Sequence, residues 1–296
     1  MSTSREMRMR IKSIRNLSQV THALETISAS KVRKAIQAVQ ATQPYAEKAW
    51  KVLVHLVRQP GHDNLHPLLT ERKKINRVLI ILVSSDRGLA GSYDVNIVRE
   101  TLAFENSLGK EVQYITIGKK GREMLRRRGK YILAEFSDIP ISPKFSDLSS
   151  IGMLAVDHFC SSDVDQVFLA YTRFFSKSEQ RVMIEKILPL SIAPIQEQTN
   201  VSGQNISNAV FIYEPDERAL LDSIIPKFIA LQIYQGILSA SASEQTARMI
   251  AMMNATDNAN SLAVSLQLEM NKMRQQSITS ELLDIAGGAE ALRVKN

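Results

Sequence analysis

The sequence predicts a mixed α/β fold in which a central domain with a mostly parallel sheet is flanked by a long antiparallel coiled coil of the N- and C-terminal helices. Three observations predict it. Both ends of the chain carry apolar residues at helical spacings of three and four. The middle alternates β-branched runs with helical patterns. The two end segments also carry net charges of opposite sign.

The first segment, residues 3–57, is predicted to form one long helix. Its apolar residues recur at three and four positions, which places them on one face. Pro44 is the only proline here and is expected to kink or divide the helix. These apolar residues are Met7, Ile11, Ile14, Leu17, Val20, Leu24 and Ile27.

The last segment contains a second long helical pattern between Ser241 and Leu292. Its stripe consists of Met249, Met252, Ala259, Leu262, Leu266, Met270, Met273, Ile278, Leu282 and Ile285. Such a helix is too long for one compact domain, so another surface must cover its apolar face. Both end segments contain stretches rich in Ala and Ser, which allow close helix packing, and we therefore expect the two to pair as an antiparallel coiled coil.

The α/β section follows a loop at residues 58–72. We expect a Rossmann-like alternation and a β-hairpin around residues 176–180. Strands are predicted at residues 77–84, 111–117, 131–136, 165–175, 181–188 and 209–213, and helices at 94–108, 119–128 and 148–160. The final helix is expected to begin near Asp216, with Pro226 kinking it or separating its first turns. The predicted domains are 1–57, 58–213 and 214–296.

Composition limits the classes of function. The chain has 296 residues and a formal charge of +7, with ten Lys/Arg against three Asp/Glu in residues 1–57 and seven against ten in residues 214–296. A basic surface suits nucleic acid or an acidic protein partner, or is simply a solvated helix face. The single cysteine, Cys160, excludes an internal disulfide and a cysteine metal cluster, and we expect it to be buried. His55, His62 and His66 lack the accompanying carboxylate of a metal motif.

The strongest enzyme-like motif is SSDRGLAGS at residues 84–92, a glycine-containing loop between a predicted strand and helix. Such a loop can hold phosphate on backbone N–H groups, but it lacks the lysine and threonine of a P-loop. A tight turn that requires Gly88 and Gly91 explains it equally well. The basic runs at 119–122 and 126–128 have no interleaved aromatics for base stacking, which favours a solvated face.

Six motifs resemble the gamma subunit of the F-type rotary ATP synthase, here of bacterial type. They are RIKSIRN at 10–16, ASKVRKA at 29–35, SSDRGLAGSYDVN at 84–96, YEPD at 213–216, ASEQTARMIAMMNATDNA at 242–259 and NKMRQQSITSELLDIAGGAEAL at 271–292. The resemblance is close at both ends and looser in the middle. The C-terminal motif together with ASKVRK at the opposite end makes a chance match improbable.

The resemblance implies a non-catalytic rotor shaft without a cofactor. It would turn inside a ring of alpha and beta subunits and couple proton or sodium flow to ATP synthesis or hydrolysis. The implied partners are that ring, the epsilon subunit and the ring of c subunits, with no nucleic acid and with membrane contact only through the complex. The implied location is the cytoplasmic face of the bacterial plasma (inner) membrane. The alternative reading from the residues is a nucleotide-binding α/β enzyme with helical arms, and a third is a nucleic-acid-binding coiled coil.

The resemblance also implies partner contacts. A basic face at Lys31, Arg33 and Lys34 would meet acidic loops of the beta subunits. Arg248, Gln275, Thr279 and Glu281 match family positions that contact the ring, and Arg87 is a candidate for the same role or for an internal ion pair. Gly287 and Gly288 would mark the tip that enters the bearing. Ala90 stands where the family often has cysteine, and Gln19 and His22 stand where it often has lysine.

Overall fold

The computed structural model describes residues 4–57, 66–72, 74–190 and 217–293. Five strands and three short helices form an α/β unit, and one long helix lies towards each end of the chain. The helices are α1 (Ser4–Val57), α2 (Tyr93–Leu108), α3 (Lys119–Arg126), α4 (Phe145–Cys160) and α5 (Glu217–Arg293), with a short 3-10 turn at Pro67–Leu69. The strands are β1 (Arg77–Val83), β2 (Glu111–Ile117), β3 (Ile132–Phe136), β4 (Gln166–Phe174) and β5 (Gln180–Leu188).

The five strands form one sheet in the order β3-β2-β1-β4-β5. The first four are parallel and β5 returns antiparallel to β4, which confirms the predicted mostly parallel sheet and the hairpin. In β1 every residue from Val78 to Val83 is buried, because helices cover both faces of a central parallel strand. Helices α2 and α3 cover one face. Helix α4 and the early part of α5 cover the other, together with side chains from the second half of α1.

The chain divides into two compact units, one of residues 1–28 and 248–296 and the other of residues 29–247. Both long helices therefore contribute to both units. The first unit, called the coil unit below, contains only helix. The second, called the sheet unit, contains the sheet and its covering helices.

In the coil unit the two helices run antiparallel. The Ser18 hydroxyl donates to Asn260 Oδ1 at 2.6 Å, and the hydroxyls of Thr21 and Thr256 lie 2.8 Å apart, so the chain advances in α1 as it retreats in α5. The buried residues recur at three and four positions, the heptad spacing of a coiled coil. They are Met7, Ile11, Ser18, Thr21 and Ser28 in α1, and Met252, Thr256, Ala259 and Ala263 in α5.

The apolar stripe predicted for α1 is wrong in its second half. Leu17, Val20 and Ile27 are 56%, 56% and 51% exposed, and the seam runs instead through Ser18, Thr21 and Ser28. Continuing the heptad from Met7 and Ile11 leads to these small polar residues. The larger apolar residues each lie one position earlier, roughly 100° around the helix. Leu262 is likewise 50% exposed beside the buried Ala263.

Of the two effects expected of Pro226, separation of the first turns of the last helix is wrong, and the expected burial of Cys160 is wrong as well. Pro226 does not divide the last helix, which is continuous from Glu217, because buried Ile225, Phe228 and Ile229 hold this turn against the core despite the missing N–H. Cys160 is exposed, since it is the final residue of α4 and its neighbour Phe159 takes the buried position. Helix α1 likewise runs unbroken through Pro44. The strand predicted at 209–213, the loop before it and the cap at Asp216 lie outside the described residues.

Candidate partner interface

The far end of α5 exposes every described side chain from Arg274 to Gly287. At the register of the Ser18–Asn260 contact, Ser4 lies level with Arg274, so the described part of α1 does not reach further along α5. Ile278, Leu282, Leu283 and Ile285 are between 50% and 69% exposed in this segment, called the tip below. Helix α5 continues to Arg293 without a break at Gly287. A single helix with several exposed apolar residues is a surface suited to a partner.

Three of the predicted contact residues lie in the tip. Gln275, Thr279 and Glu281 are exposed. The Thr279 hydroxyl donates to the Gln275 carbonyl at 2.9 Å, and Ser277 donates to Glu281 Oε1 at 3.4 Å. These hydrogen bonds stay within one helix turn, so the outward-facing side of the tip remains available. Arg248 is the fourth of the contact residues predicted on α5. It is half-buried and lies at the other limit of the coil unit.

A basic groove on the coil unit was missed by the sequence reasoning. Arg8, Lys12 and Arg15 line a groove of about 340 Å³ together with Gln267 and Met270. Their spacing of four and three residues puts the three cations on one side of α1, and that spacing was the available signal. None of the three makes an ion pair with a described residue. The groove therefore presents uncompensated positive charge beside aliphatic surface.

The basic face of α1 belongs to the sheet unit. Arg33 and Lys34 are exposed and Lys31 is half-buried, while Val32 and Ala35 are 1% and 0% exposed. The alternation follows from the helical repeat, which turns Arg33 and Lys34 away from the side that carries Val32 and Ala35.

The SSDRGLAGS loop lies at the carboxyl end of β1. Gly91 has the positive φ that favours glycine, but Gly88 does not, and the second left-handed residue is Leu89 with φ of 65°. Leu89 is also 64% exposed, a combination that sequence reasoning did not anticipate. Arg87 is exposed, and its charge helps Lys119, the main cause, to lower the pKa of Asp138.

Carboxylates occupy the positions that a phosphate would need. Asp94 accepts from the Ser85 N–H and hydroxyl at 2.8 and 2.6 Å, and Asp86 accepts from the N–H groups of Lys119 and Asp138 at 3.1 and 2.8 Å. These acceptors use the backbone donors and would repel an anion. The adjoining cavity, lined by Asp86 and Glu244 among others, measures about 50 Å³, far below a nucleotide pocket of roughly 300–1,000 Å³. The geometry thus argues against the nucleotide-binding alternative.

Metal-binding clusters and membrane-spanning helices are both absent from residues 4–57, 66–72, 74–190 and 217–293. No group of three or more His, Cys, Asp or Glu in those ranges could hold a metal ion. No helix there is long and apolar enough to cross a bilayer. His66, one of the three histidines noted above, contacts Asp222 through Nε2 at 2.9 Å; the side chains of His55 and His62 lie outside the described set.

The fold defines a class of protein: a chain with one α/β unit built on a mostly parallel sheet and with two long terminal helices that pair antiparallel. The solved structures it resembles include Euglena gracilis mitochondrial ATP synthase, with OSCP and c-ring, at a TM-score of 0.67 and 18% identity, covering 98% of this chain and 94% of the other. Another is the central stalk and c-ring of Tetrahymena thermophila mitochondrial ATP synthase, at 0.60 and 22%, covering 80% and 99%. At these identities the likeness establishes the fold.

The sequence comparisons establish the family. A family model described as ATP synthase matches residues 3–292. The ATP synthase gamma chain of Dehalococcoides mccartyi is 41% identical over 99% of this chain and 100% of its own. Those of Chloroflexus aurantiacus and Legionella pneumophila are 38% and 37% identical over 99% of this chain and at least 99% of their own. The chain belongs to the ATP synthase gamma chain family, as the sequence motifs predicted.

Proposed function

We propose that the chain is the central rotor shaft of an ATP synthase, turning inside a ring of alpha and beta subunits and coupling ion flow to ATP synthesis or hydrolysis. The main observation that supports this proposal is the exposed apolar surface of the tip. Its exposed Ile278, Leu282, Leu283 and Ile285 form no core with described residues, and a ring that surrounds a single helix would cover them. Membership of the gamma chain family agrees with this role.

The shaft itself is non-catalytic in this proposal. The SSDRGLAGS loop is filled by its own carboxylates, and no described residues form a metal-binding group. Catalysis would belong to the ring. In this proposal residues 1–57 and 214–296 are the two shaft segments, and residues 58–213 form the domain outside the ring.

The contact residues divide between the two units. Arg248, Gln275, Thr279 and Glu281, with the groove of Arg8, Lys12 and Arg15, are proposed to contact the ring from the coil unit. Lys31, Arg33, Lys34 and Arg87 are proposed to meet acidic loops of the beta subunits from the sheet unit. Epsilon and the c-subunit ring are the proposed partners of the rest of the sheet unit, at the cytoplasmic face of the plasma membrane.

A mixing experiment tests the function. The purified chain is combined with alpha and beta subunits, and the mixture is examined for a stoichiometric complex with ATPase activity above that of the ring alone. We expect a complex containing one copy of this chain per ring. No complex, together with tight binding of ATP or DNA by the chain alone, would reject the rotor role.

The basic face gives a more local prediction. Replacing Lys31, Arg33 and Lys34 together by Ala should lower the torque or coupling of the assembled complex while the unfolding midpoint of the free chain changes little. Exposed charges contribute only about 0–1 kcal/mol each to stability. A control replaces Lys48 and Lys177, two exposed lysines of the sheet unit that belong to no proposed ring contact. A lower unfolding midpoint of the triple variant, with no specific loss of coupling in the complex, would assign these residues to the core instead.

A further inference from the structure

The amino edge of the sheet carries an unusual concentration of positive charge. Parallel strands β1 to β3 begin at this edge, and α3 returns to it because it leaves the carboxyl end of β2 and ends before β3. Lys110 precedes β2, Arg126 ends α3 and is followed by Arg127 and Arg128, and Tyr131 precedes β3. All five side chains are exposed, Tyr131 by 61%. This set, called the basic edge, consists of Lys110, Arg126, Arg127, Arg128 and Tyr131.

The backbone of the basic edge is held in place by a closed turn. The N–H groups of Arg127, Arg128 and Gly129 donate to Glu123, Leu125 and Arg126 carbonyls at 3.1, 3.0 and 3.1 Å. Gly129 has φ of 69°, the left-handed conformation that ends a helix. Lys130 then anchors the turn to α2 through a 2.8 Å ion pair with Glu105. Three consecutive arginines are thus presented on a fixed scaffold.

The charges of the arginines are not compensated within the described chain. The other cations of α3 each have a carboxylate: Lys119 pairs with Asp138, Lys120 with Glu123 and Arg122 with Glu135. Arg126, Arg127 and Arg128 form no ion pair with a described residue; Arg128 only donates to the Met124 carbonyl at 3.2 Å. One half of the helix is neutralised and the other half is not, which points to an external polyanion.

Within the sheet unit, the basic edge and Arg87, a proposed ring contact, lie at opposite edges of the sheet. The SSDRGLAGS loop with Arg87 lies at the carboxyl edge, where Tyr93 donates to the Ala240 carbonyl at 3.2 Å. The amino edge lies where α5 begins, near Asp222, which contacts His66. If Arg87 meets the ring, the three arginines lie at the sheet edge opposite to that contact. This step rests on the proposed function.

We propose that the basic edge binds the surface of an anionic lipid bilayer. Arginine forks match lipid phosphates in pairs of hydrogen bonds, and an exposed tyrosine is suited to the headgroup region. Each such cation raises partitioning onto anionic lipid by about fivefold, so the three arginines together contribute about a hundredfold. An acidic protein would use the same arginines, and the assembly measurement below distinguishes that partner from lipid. The chain would then touch lipid directly, in addition to reaching the membrane through other subunits.

Vesicle binding by the full chain tests the proposal. Vesicles of phosphatidylcholine alone are compared with vesicles in which part of the lipid is phosphatidylglycerol, at low salt and at high salt. The test variant is R126Q/R127Q/R128Q, and the matched control is K119Q/K120Q/R122Q, which removes the same charge from the paired half of α3. We expect binding to the anionic vesicles only, weakened by salt, about a hundredfold weaker in the test variant and within a few-fold of the original in the control.

Two further measurements keep the result interpretable. The melting temperature of each variant shows whether the fold survives, and a Y131W variant should shift its fluorescence to shorter wavelength on anionic vesicles if this edge meets the bilayer. Equal binding by all variants, equal loss in both triple variants, or no spectral shift would overturn the proposal. Assembly with alpha and beta subunits is measured separately. Weaker assembly of R126Q/R127Q/R128Q with unchanged lipid binding would identify a protein contact and also overturn it, whereas failure of every variant to assemble would reject only the rotor role.

Discussion

Asp165 joins the starts of β1 and β4. Its Oδ2 accepts from the N–H groups of Asn76 and Arg77 at 2.7 and 3.0 Å, and Oδ1 accepts from Arg72 at 2.9 Å. Burial opposes its ionisation, but the backbone N–H groups of Arg77 and Asn76 and the Arg72 guanidinium together hold the pKa of Asp165 below its usual range. The ionised carboxylate therefore stabilises the sheet unit.

Replacing Asp165 by Asn should lower the free energy of unfolding by about 1–3 kcal/mol at neutral pH, because three donors lose a charged acceptor. Since the folded pKa is depressed, the stabilisation is present above the ordinary pKa near 4 and is lost as pH falls through the lowered value. Urea unfolding between neutral and acidic pH should accordingly show a shallower pH dependence in the variant. Asp157→Asn, an exposed change on α4, serves as control, and an equally shallow profile there would contradict the assignment.

At the scale of the elements, helices α4 and α5 approach closely at Gly152. A Cβ added to Gly152 would lie 2.6 Å from the Cα of Ala230 and 2.7 Å from its Cβ. The obstacle includes main chain, which cannot turn aside as a flexible side chain can. Gly152 thus sets the spacing between the helix that precedes β4 and the helix that continues into the coil unit.

Gly152→Ala should destabilise the sheet unit by about 1–3 kcal/mol through overpacking, despite the better helix propensity of alanine. The comparison variant is Gly287→Ala, where the added Cβ meets nothing within 4 Å. There, alanine should leave stability unchanged or raise it by about 0.5–1 kcal/mol. Thermal unfolding of both variants measures these changes in stability. Equal effects would show that the α4–α5 spacing adapts freely.

The seam of the coil unit shows what the sequence could and could not predict. The long helices, their antiparallel pairing and the mostly parallel sheet follow from periodicity and alternation, which depend on local pattern. The face of α1 did not follow, because counting apolar residues favours Leu17 and Val20 over the small polar Ser18 and Thr21. The partner helix determines which face is buried, because Asn260 forms a hydrogen bond with Ser18 and Thr256 forms one with Thr21. The contact residues were predicted from family motifs, and no local pattern in the sequence predicts them.

The Thr21–Thr256 contact yields an energetic prediction. The two hydroxyls are 2.8 Å apart, and their residues are 7% and 9% exposed. In a double-mutant cycle with Thr21→Val and Thr256→Val, we expect a coupling free energy of about 0.5–1.5 kcal/mol, with the double variant more stable than the sum of the single effects predicts. Urea midpoints of the four proteins measure it. Strict additivity would mean that the hydroxyls bond only to their own helices.

For the whole molecule, the two units place different demands on the sequence. The sheet unit has an apolar core of its own, to which the buried residues from Val78 to Val83 of β1 contribute. The tip leaves apolar residues exposed along a helix that no described residue covers, and in the proposed function a surrounding partner covers them. Stability and assembly should therefore respond to different substitutions, and the tip allows the two to be separated.

Leu282 and Leu283 are 61% and 67% exposed, so replacing both by Glu should change the free energy of unfolding of the isolated chain by less than about 0.5 kcal/mol. If the ring buries them, each leucine contributes about 1.5–3 kcal/mol to assembly, and their loss should weaken association with alpha and beta subunits by about a hundredfold or more. Gln276→Glu with Ser280→Glu adds the same charge at exposed polar positions of the same segment and controls for electrostatics. Association and urea unfolding are measured on all three proteins. Equal weakening by both pairs would attribute the effect to charge, and undiminished assembly of the leucine variant would remove the tip from the interface.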